Sequence, residues 1–290
     1  MKICNVCHTH FTAMDWQCPT CAYFPPSIGG FKALAPDFAN NSSGFRPDAF
    51  EKLAALEDAN FWFCARNRLI VWALKKYFPD MLRFMEIGCG TGYVLSGVAN
   101  AYPEANLVGS EIFSVSLPYA ASRVKNAELI QMDARSIPFI DEFDVIGAFD
   151  VLEHIKEDDG VLQSMLSALR PGGGIVITVP QYPWLWSSAD ESACHVRRYK
   201  INELREKVIA AGFNLQFETS FVSFLLPMMI ASRLTRWRSS VQDDSLAELK
   251  LSNWLNFTFS KIMNIEHQFI KNGIRLKFGG SMLLIATKKI

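Results

Sequence analysis

Arg83-Phe84-Met85-Glu86-Ile87-Gly88-Cys89-Gly90-Thr91-Gly92-Tyr93, continued by Asn106-Leu107-Val108-Gly109-Ser110-Glu111, decides how this 290-residue chain folds. A short apolar run breaks into three alternate glycines, a helix-length segment follows, and a second short apolar run ends on a carboxylate. The pattern predicts a β-turn-α-β unit. Glycines in the turn let the backbone take positive φ and approach a ligand closely, while the next helix offers unpaired N–H groups at its N-terminus. Glu111, at the end of the second strand, is placed to accept both hydroxyl protons of a ribose. The unit therefore suits an adenosine-containing ligand.

The glycine spacing is G-x-G-x-G rather than the G-x-G-x-x-G of dinucleotide sites, although Glu111 lies at the distance expected for either. Glu86 weighs more. A carboxylate just before the turn would repel a pyrophosphate, but it suits a ligand carrying an ammonium and a sulfonium. This acidic-x-G-x-G-x-G stretch resembles the first motif of the class I S-adenosylmethionine-dependent methyltransferases. The resemblance implies an α/β fold, a Rossmann-like seven-stranded sheet with helices on both faces. It also implies S-adenosylmethionine as cofactor, with Glu86, Gly88, Cys89, Gly90, Gly92, Glu111 and Ile112 around it.

Further strands follow at the expected intervals. Glu128 to Met132 reads as a third strand with Asp133 and Ala134 at its carboxyl end, where open α/β sheets bind ligands. Asp133 is placed there to accept the adenine amino proton and Ala134 to supply a backbone N–H. Phe143 to Phe149 reads as a fourth strand. The block after it, Asp150-Val151-Leu152-Glu153-His154, resembles the family's post-strand motif, which lines the gap between methyl donor and acceptor, and Asp150 joins the cofactor residues. A helix over Asp158 to Arg170 and the turn Pro171-Gly172-Gly173-Gly174 lead into a fifth strand, Ile175 to Val179. Asn202 to Ala211 reads as a helix stopped by Gly212, Phe213 to Glu218 as a sixth strand and Ser281 to Thr287 as the last. The resemblance covers about Phe61 to Phe217 and returns at the C-terminus.

At the other end of the chain, Cys4-x-x-Cys7 and Cys18-x-x-Cys21 form two knuckles separated by ten residues. Four thiolates on tight turns can close a tetrahedral shell around zinc, and a saturated shell makes the metal structural. Residues 1–25 thus resemble a short zinc ribbon. Residues 26–47, with Pro25-Pro26 at the boundary and Asn40-Asn41-Ser42-Ser43-Gly44 inside, read as a linker that leaves the ribbon independent of a methyltransferase domain over 48–290. Helical spacing returns from Asp48 to Tyr77. In similar methyltransferases a segment such as Phe61-Trp62-Phe63 with Arg66 lies over the cofactor, where the arginine meets its carboxylate; a plain aromatic cluster is the other reading.

Residues 221–278 separate two strands that the family joins by a short connection, a length uncommon for a structureless loop. Leu251, Leu255, Ile262, Ile265 and Phe269 recur at helical steps, so a helical insertion is expected. It either caps the site, packs as core, or lies at a membrane surface through 221–240 with Trp237 and nearby arginines at the headgroup level. Pro227 and Arg233 keep the apolar run too short to span a bilayer.

Seven cysteines, four of them in CxxC pairs, suit a reducing compartment, and Met1 to Cys21 lacks the apolar core of a signal peptide, so a cytoplasmic location is expected, peripheral at the membrane only under the reading that lays 221–240 on its surface. Formal net charge is zero, which argues against an extended nucleic-acid surface. The expected activity is methyl transfer to a small acceptor, which the apolar insertion allows to be apolar. Protein or RNA docked by the ribbon is the alternative acceptor, and a non-catalytic S-adenosylmethionine-binding regulator the alternative class. His154, nearest the methyl, and His195, on an acceptor-side loop, are the candidate bases.

Overall fold

The computed structural model describes residues 1–13, 15–39, 49–236 and 251–289. Residues 40–47 of the expected linker lie outside the described residues, as do Trp237 and Arg238. In chain order the strands are β1 (Lys2–Ile3), β2 (His10–Phe11), β3 (Ser27–Ile28), β4 (Phe31–Ala33), β5 (Arg83–Ile87), β6 (Asn106–Glu111), β7 (Glu128–Gln131), β8 (Phe143–Phe149), β9 (Leu169–Pro180), β10 (Phe213–Phe221) and β11 (Ser281–Lys288). The α-helices are α1 (Ala49–Leu56), α2 (Phe61–Tyr77), α3 (Tyr93–Ala101), α4 (Leu117–Arg123), α5 (Asp158–Ala168), α6 (Ser188–Ser192), α7 (Glu203–Ala210), α8 (Leu226–Arg236) and α9 (Asn253–Lys271).

The central sheet runs β10-β11-β9-β8-β5-β6-β7-β4-β3, with β11 antiparallel to both neighbours and β5 to β9 parallel. It contains the seven strands expected and two more. Both faces are buried, so β8 reads as a nearly continuous apolar run, and alternate residues supply two cores. Phe143, Ile146 and Ala148 join Val161, Leu162 and Met165 of α5 and Leu204 and Val208 of α7, whereas Val145 and Phe149 join Leu69, Ile70 and Leu74 of α2 and Leu95 and Val98 of α3. Chain direction across the sheet reverses on either side of β5, which therefore has β8 and β6 as neighbours. A crevice opens at the carboxyl ends of such strands.

The expected linker is corrected. Residues 27–33 form a hairpin whose inner strand β4 pairs in parallel with β7, Lys32 opposite Ile130, extending the sheet at its edge. Nor is the cysteine segment a loose module. Ile3 donates its N–H to Pro138, and buried Trp16 packs edge-on against Phe139 at 5.4 Å while its indole N–H donates to Glu128 at 3.0 Å. Proline and asparagine content hid this, because two- and three-residue strands carry almost no period.

The insertion is helical, α8 and α9, and it is anchored by a residue that its helical spacing did not single out. Glu266 of α9 is fully buried and its carboxylate accepts the N–H groups of Val222, Ser223 and Phe224 just past β10, at 2.7, 2.6 and 2.8 Å. Asn256 ties the start of α9 to α2 by accepting from Phe61 N–H and donating to Ala59 C=O, each at 2.8 Å. No described helix is long and apolar enough to cross a membrane.

Candidate active site

The carboxyl ends of β5, β6 and β8 meet at a cavity of about 1110 Å³. Gly88 and Gly90 line it at φ of +65° and +51°, conformations a side chain rarely adopts. A Cβ at Gly88 would lie 2.5 Å from Val151, so the turn after β5 and the turn after β8 demand the glycine of each other. Cys89 and Ile112 also line the cavity. Gly92 does not: a Cβ there would stand 2.8 Å from the Ala120 backbone, and this glycine serves the approach of α4 to α3.

Glu86 is buried at the floor with its Oε2 lacking any partner, and burial pushes its carboxyl well above the ordinary range. An unpaired carboxylate of this kind favours a cationic ligand group, which fits the ammonium and sulfonium of S-adenosylmethionine. Glu111 is already engaged. Its Oε1 accepts from Ile112 and Phe113 N–H at 2.8 and 3.3 Å and its Oε2 from Gly90 N–H at 3.1 Å, while burial raises its pKa. A carboxylate has about four acceptor positions, so seating a ribose diol means giving up at least one of these, and the Phe113 bond at 3.3 Å is the longest of the three.

Arg66 of α2 is buried against the cavity, its guanidinium 4.4 Å from the Trp62 ring and ion-paired with Asp150. Asp150 takes φ +58° at the end of β8, a strained position that turns its carboxylate toward this partner. Ala134 lines the cavity, but Asp133 does not, and its carboxylate is gripped by the Arg135 guanidinium at 2.7 to 3.0 Å. Asp133 in this arrangement is a turn residue, its side chain committed two residues along the chain.

Glu153, His154 and His195 line the same cavity. A single 3-10 turn, Leu152–His154, brings the first two off β8. Glu153 is fully buried, neither of its oxygens has a partner, and burial followed by the Asp150 charge pushes its carboxyl well up. His154 packs its ring at 80° and 4.8 Å against His195, and burial with the His195 charge lowers its pKa to about 4. That value is poorly matched to a general base at neutral pH.

His195 is held differently. Its Nδ1 lies 2.9 Å from Asp190 Oδ1 and its Nε2 3.9 Å from Glu153 Oε1. Asp190 also accepts from Arg198 Nε at 2.7 Å and caps α6 through Ser187 N–H at 2.9 Å. Burial alone would raise Asp190, but His195 and Arg198 hold it down to about 2. An ionised carboxylate can only accept, so Nδ1 of His195 carries a proton directed at Asp190. Glu153 lay in the block after the fourth strand and Asp190 in the acidic pair ahead of His195, but the sequence singled out neither as a site residue.

Part of the cavity lining is apolar and comes from the insertion: Leu225, Met228, Met229, Leu251 and Phe259 line it. Away from the cavity, the sulfurs of Cys4, Cys7, Cys18 and Cys21 lie within 4.8 Å of one another, with Cys4–Cys21 at 3.6 Å and Cys7–Cys18 at 3.5 Å. Thiolates at ~2.3 Å around a tetrahedral zinc stand about 3.8 Å apart, so the donor set fits that metal.

Residues 84–173 match the family model of a methyltransferase domain. A probable S-adenosylmethionine-dependent methyltransferase of Mycolicibacterium smegmatis is 23% identical over 167 residues, which are 57% of this chain and 63% of that protein. A ubiquinone biosynthesis O-methyltransferase of Xanthomonas campestris is 26% identical over 190 residues, 57% of this chain and 74% of the relative. The matched region thus spans 63% of the first relative's length, and 40% of a trans-aconitate 2-methyltransferase of Variovorax paradoxus. Among solved structures, phosphoethanolamine N-methyltransferase 2 of Haemonchus contortus, determined with S-adenosyl-L-methionine, superposes with a TM-score of 0.52 at 19% identity, covering 76% of this chain and 52% of that one. The chain thus has the fold of the S-adenosylmethionine-dependent methyltransferases, and its residues 84–173 match a methyltransferase domain.

Proposed function

We propose that the protein transfers a methyl group from S-adenosylmethionine to a small, largely apolar acceptor. The observation that carries this is the single cavity that joins a glycine cradle floored by Glu86 and Glu111 to an apolar wall and a polar cluster. When bound, S-adenosylmethionine supplies an electrophilic methyl on a sulfonium, whose transfer to an acceptor lone pair leaves a neutral thioether and one proton to be taken up. Glu86 faces the positive groups of that cofactor and Glu111 its ribose. Arg66, at the cost of its pair with Asp150, meets the carboxylate. Leu225, Met228 and Phe259 exclude water from the acceptor, and alignment rather than acid-base chemistry accounts for most of the rate.

Among the described residues none before Phe38 lines the cavity, which favours a small molecule over a macromolecule docked by the ribbon. The zinc at Cys4, Cys7, Cys18 and Cys21 is then structural. Labelled-methyl transfer into extract fractions of small molecules, lipid, RNA and protein tests the proposal. Label in the small-molecule or lipid fraction supports it; label in RNA or protein, or S-adenosylmethionine binding with no transfer to any fraction, refutes it.

A further inference from the structure

The cavity holds three groups, Glu153, His154 and His195, whose arrangement methyl transfer by alignment does not require. Glu153 is 0% exposed and neither of its carboxylate oxygens has a hydrogen-bond partner. Its backbone is fixed, since Val196 N–H donates to its carbonyl at 2.8 Å, so the side chain is held at the cavity and not left there by slack. The nearest guanidinium groups are committed elsewhere, Arg66 to Asp150 and Arg198 to Asp190. A buried carboxylate in that state is costly unless something positive meets it.

We propose that Glu153, His154 and His195 bind one divalent cation of intermediate hardness, of the Mn2+, Fe2+ or Zn2+ kind. One ligand atom from each, an oxygen and two imidazole nitrogens, lies within 4.8 Å of the other two. That N2O set is what such cations prefer, and it is neither soft enough for a thiolate-seeking metal nor oxygen-rich enough for calcium. Ligands at ~2.1 Å stand about 3.0 to 3.4 Å apart, so the trio closes on a cation by ring rotation and a swing of the carboxylate.

The outer partners fit the same reading. Metal-binding imidazoles hand their other nitrogen to a carboxylate or a carbonyl, which fixes the tautomer and makes the ligand nitrogen more basic. His195 hands Nδ1 to Asp190 at 2.9 Å, and His154 is hydrogen-bonded to the Cys194 backbone. Three protein ligands leave positions open, and all three residues line the cavity, so the open positions face the acceptor space. Resting on the methyl-transfer reading for this last step, the site selects acceptors with an oxygen donor at the end that reaches Glu153.

Mn2+ is the probe, because four cysteine thiolates discriminate against it. The full chain is dialysed against citrate, which strips a three-ligand site, and Mn2+ is titrated while its electron paramagnetic resonance signal reports the unbound ion. Wild-type protein is expected to take up one Mn2+ per chain, and Glu153→Gln and His195→Gln each to weaken that uptake about tenfold or more. Circular dichroism and thermal unfolding check that each variant is folded; where Glu153→Gln fails that check, His195→Gln decides. No Mn2+ uptake by wild type, or equal uptake by wild type and a folded variant, overturns the site. Neither result touches cofactor binding, so the methyl-transfer reading stands or falls separately.

Discussion

Replacing Glu111 by glutamine removes one acceptor oxygen while keeping shape. In the structure both oxygens are used, Oε1 for Ile112 and Phe113 and Oε2 for Gly90. An amide has one NH2 in place of an oxygen, so one of these N–H groups faces a donor and loses its partner. The ribose then loses a charge-assisted acceptor in the bound state. Because the ligand exchanges for one of these bonds rather than adding to three untouched ones, the loss belongs at the lower part of the ~1.5–3 kcal/mol range of such bonds, about 2 kcal/mol or some thirtyfold in affinity. Calorimetry with S-adenosylmethionine and its demethylated product on the two proteins measures it. Equal affinities would refute the placement of the ribose at Glu111, and tight NAD binding without S-adenosylmethionine binding would refute the cofactor itself.

Burial raises Glu86 in the free protein, whereas a bound cation favours its charged form. Cofactor affinity should therefore climb with pH up to the Glu86 pKa of the free protein and level off above it, with Glu86→Gln abolishing the climb; calorimetry in buffers of different ionisation heat reads the proton released. Trp16→Ala should cost about 3–5 kcal/mol in denaturant unfolding, since the indole fills the seam between the cysteine segment and the sheet; a negligible loss would mean that the segment is not docked. His267, buried on α9, has its pKa lowered to about 4 by burial and then by Arg68 and Lys271. It stays neutral when folded but charges near 6.5 when unfolded, so its contribution is full above 6.5 and is lost as pH falls toward 4. That gap is worth on the order of 3 kcal/mol, and His267→Gln should flatten the stability profile across this window.

The glycine turn, the carboxylates that flank it and the seven strands were legible because each rests on local pattern: period, turn chemistry and apolar runs. Glu153, Asp190 and Glu266 were not, since nothing in a sequence distinguishes a carboxylate that will be buried from one that will be solvated. Asp133 shows the converse. Its position at a strand end was right, but its side chain turned to Arg135, a choice made by a neighbour two residues away and not by the fold. Residues 27–33 escaped notice because their strand character comes from β7, not from themselves.

That last dependence has a consequence for how the chain is made. Trp16 waits for Glu128, 112 positions later, and Ala35 waits for Gln131, 96 positions later. At ribosomal speeds that is roughly 5 to 20 s during which the indole and the edge of β4 have no docking surface. The four thiols lie within 17 positions and can close on a metal at once, so a loaded knuckle pair would ride ahead of the nascent domain as a preformed clip. The cysteine segment thus meets its surface only once β7 is made, and a metal at the four thiols would hold its fold in the interval.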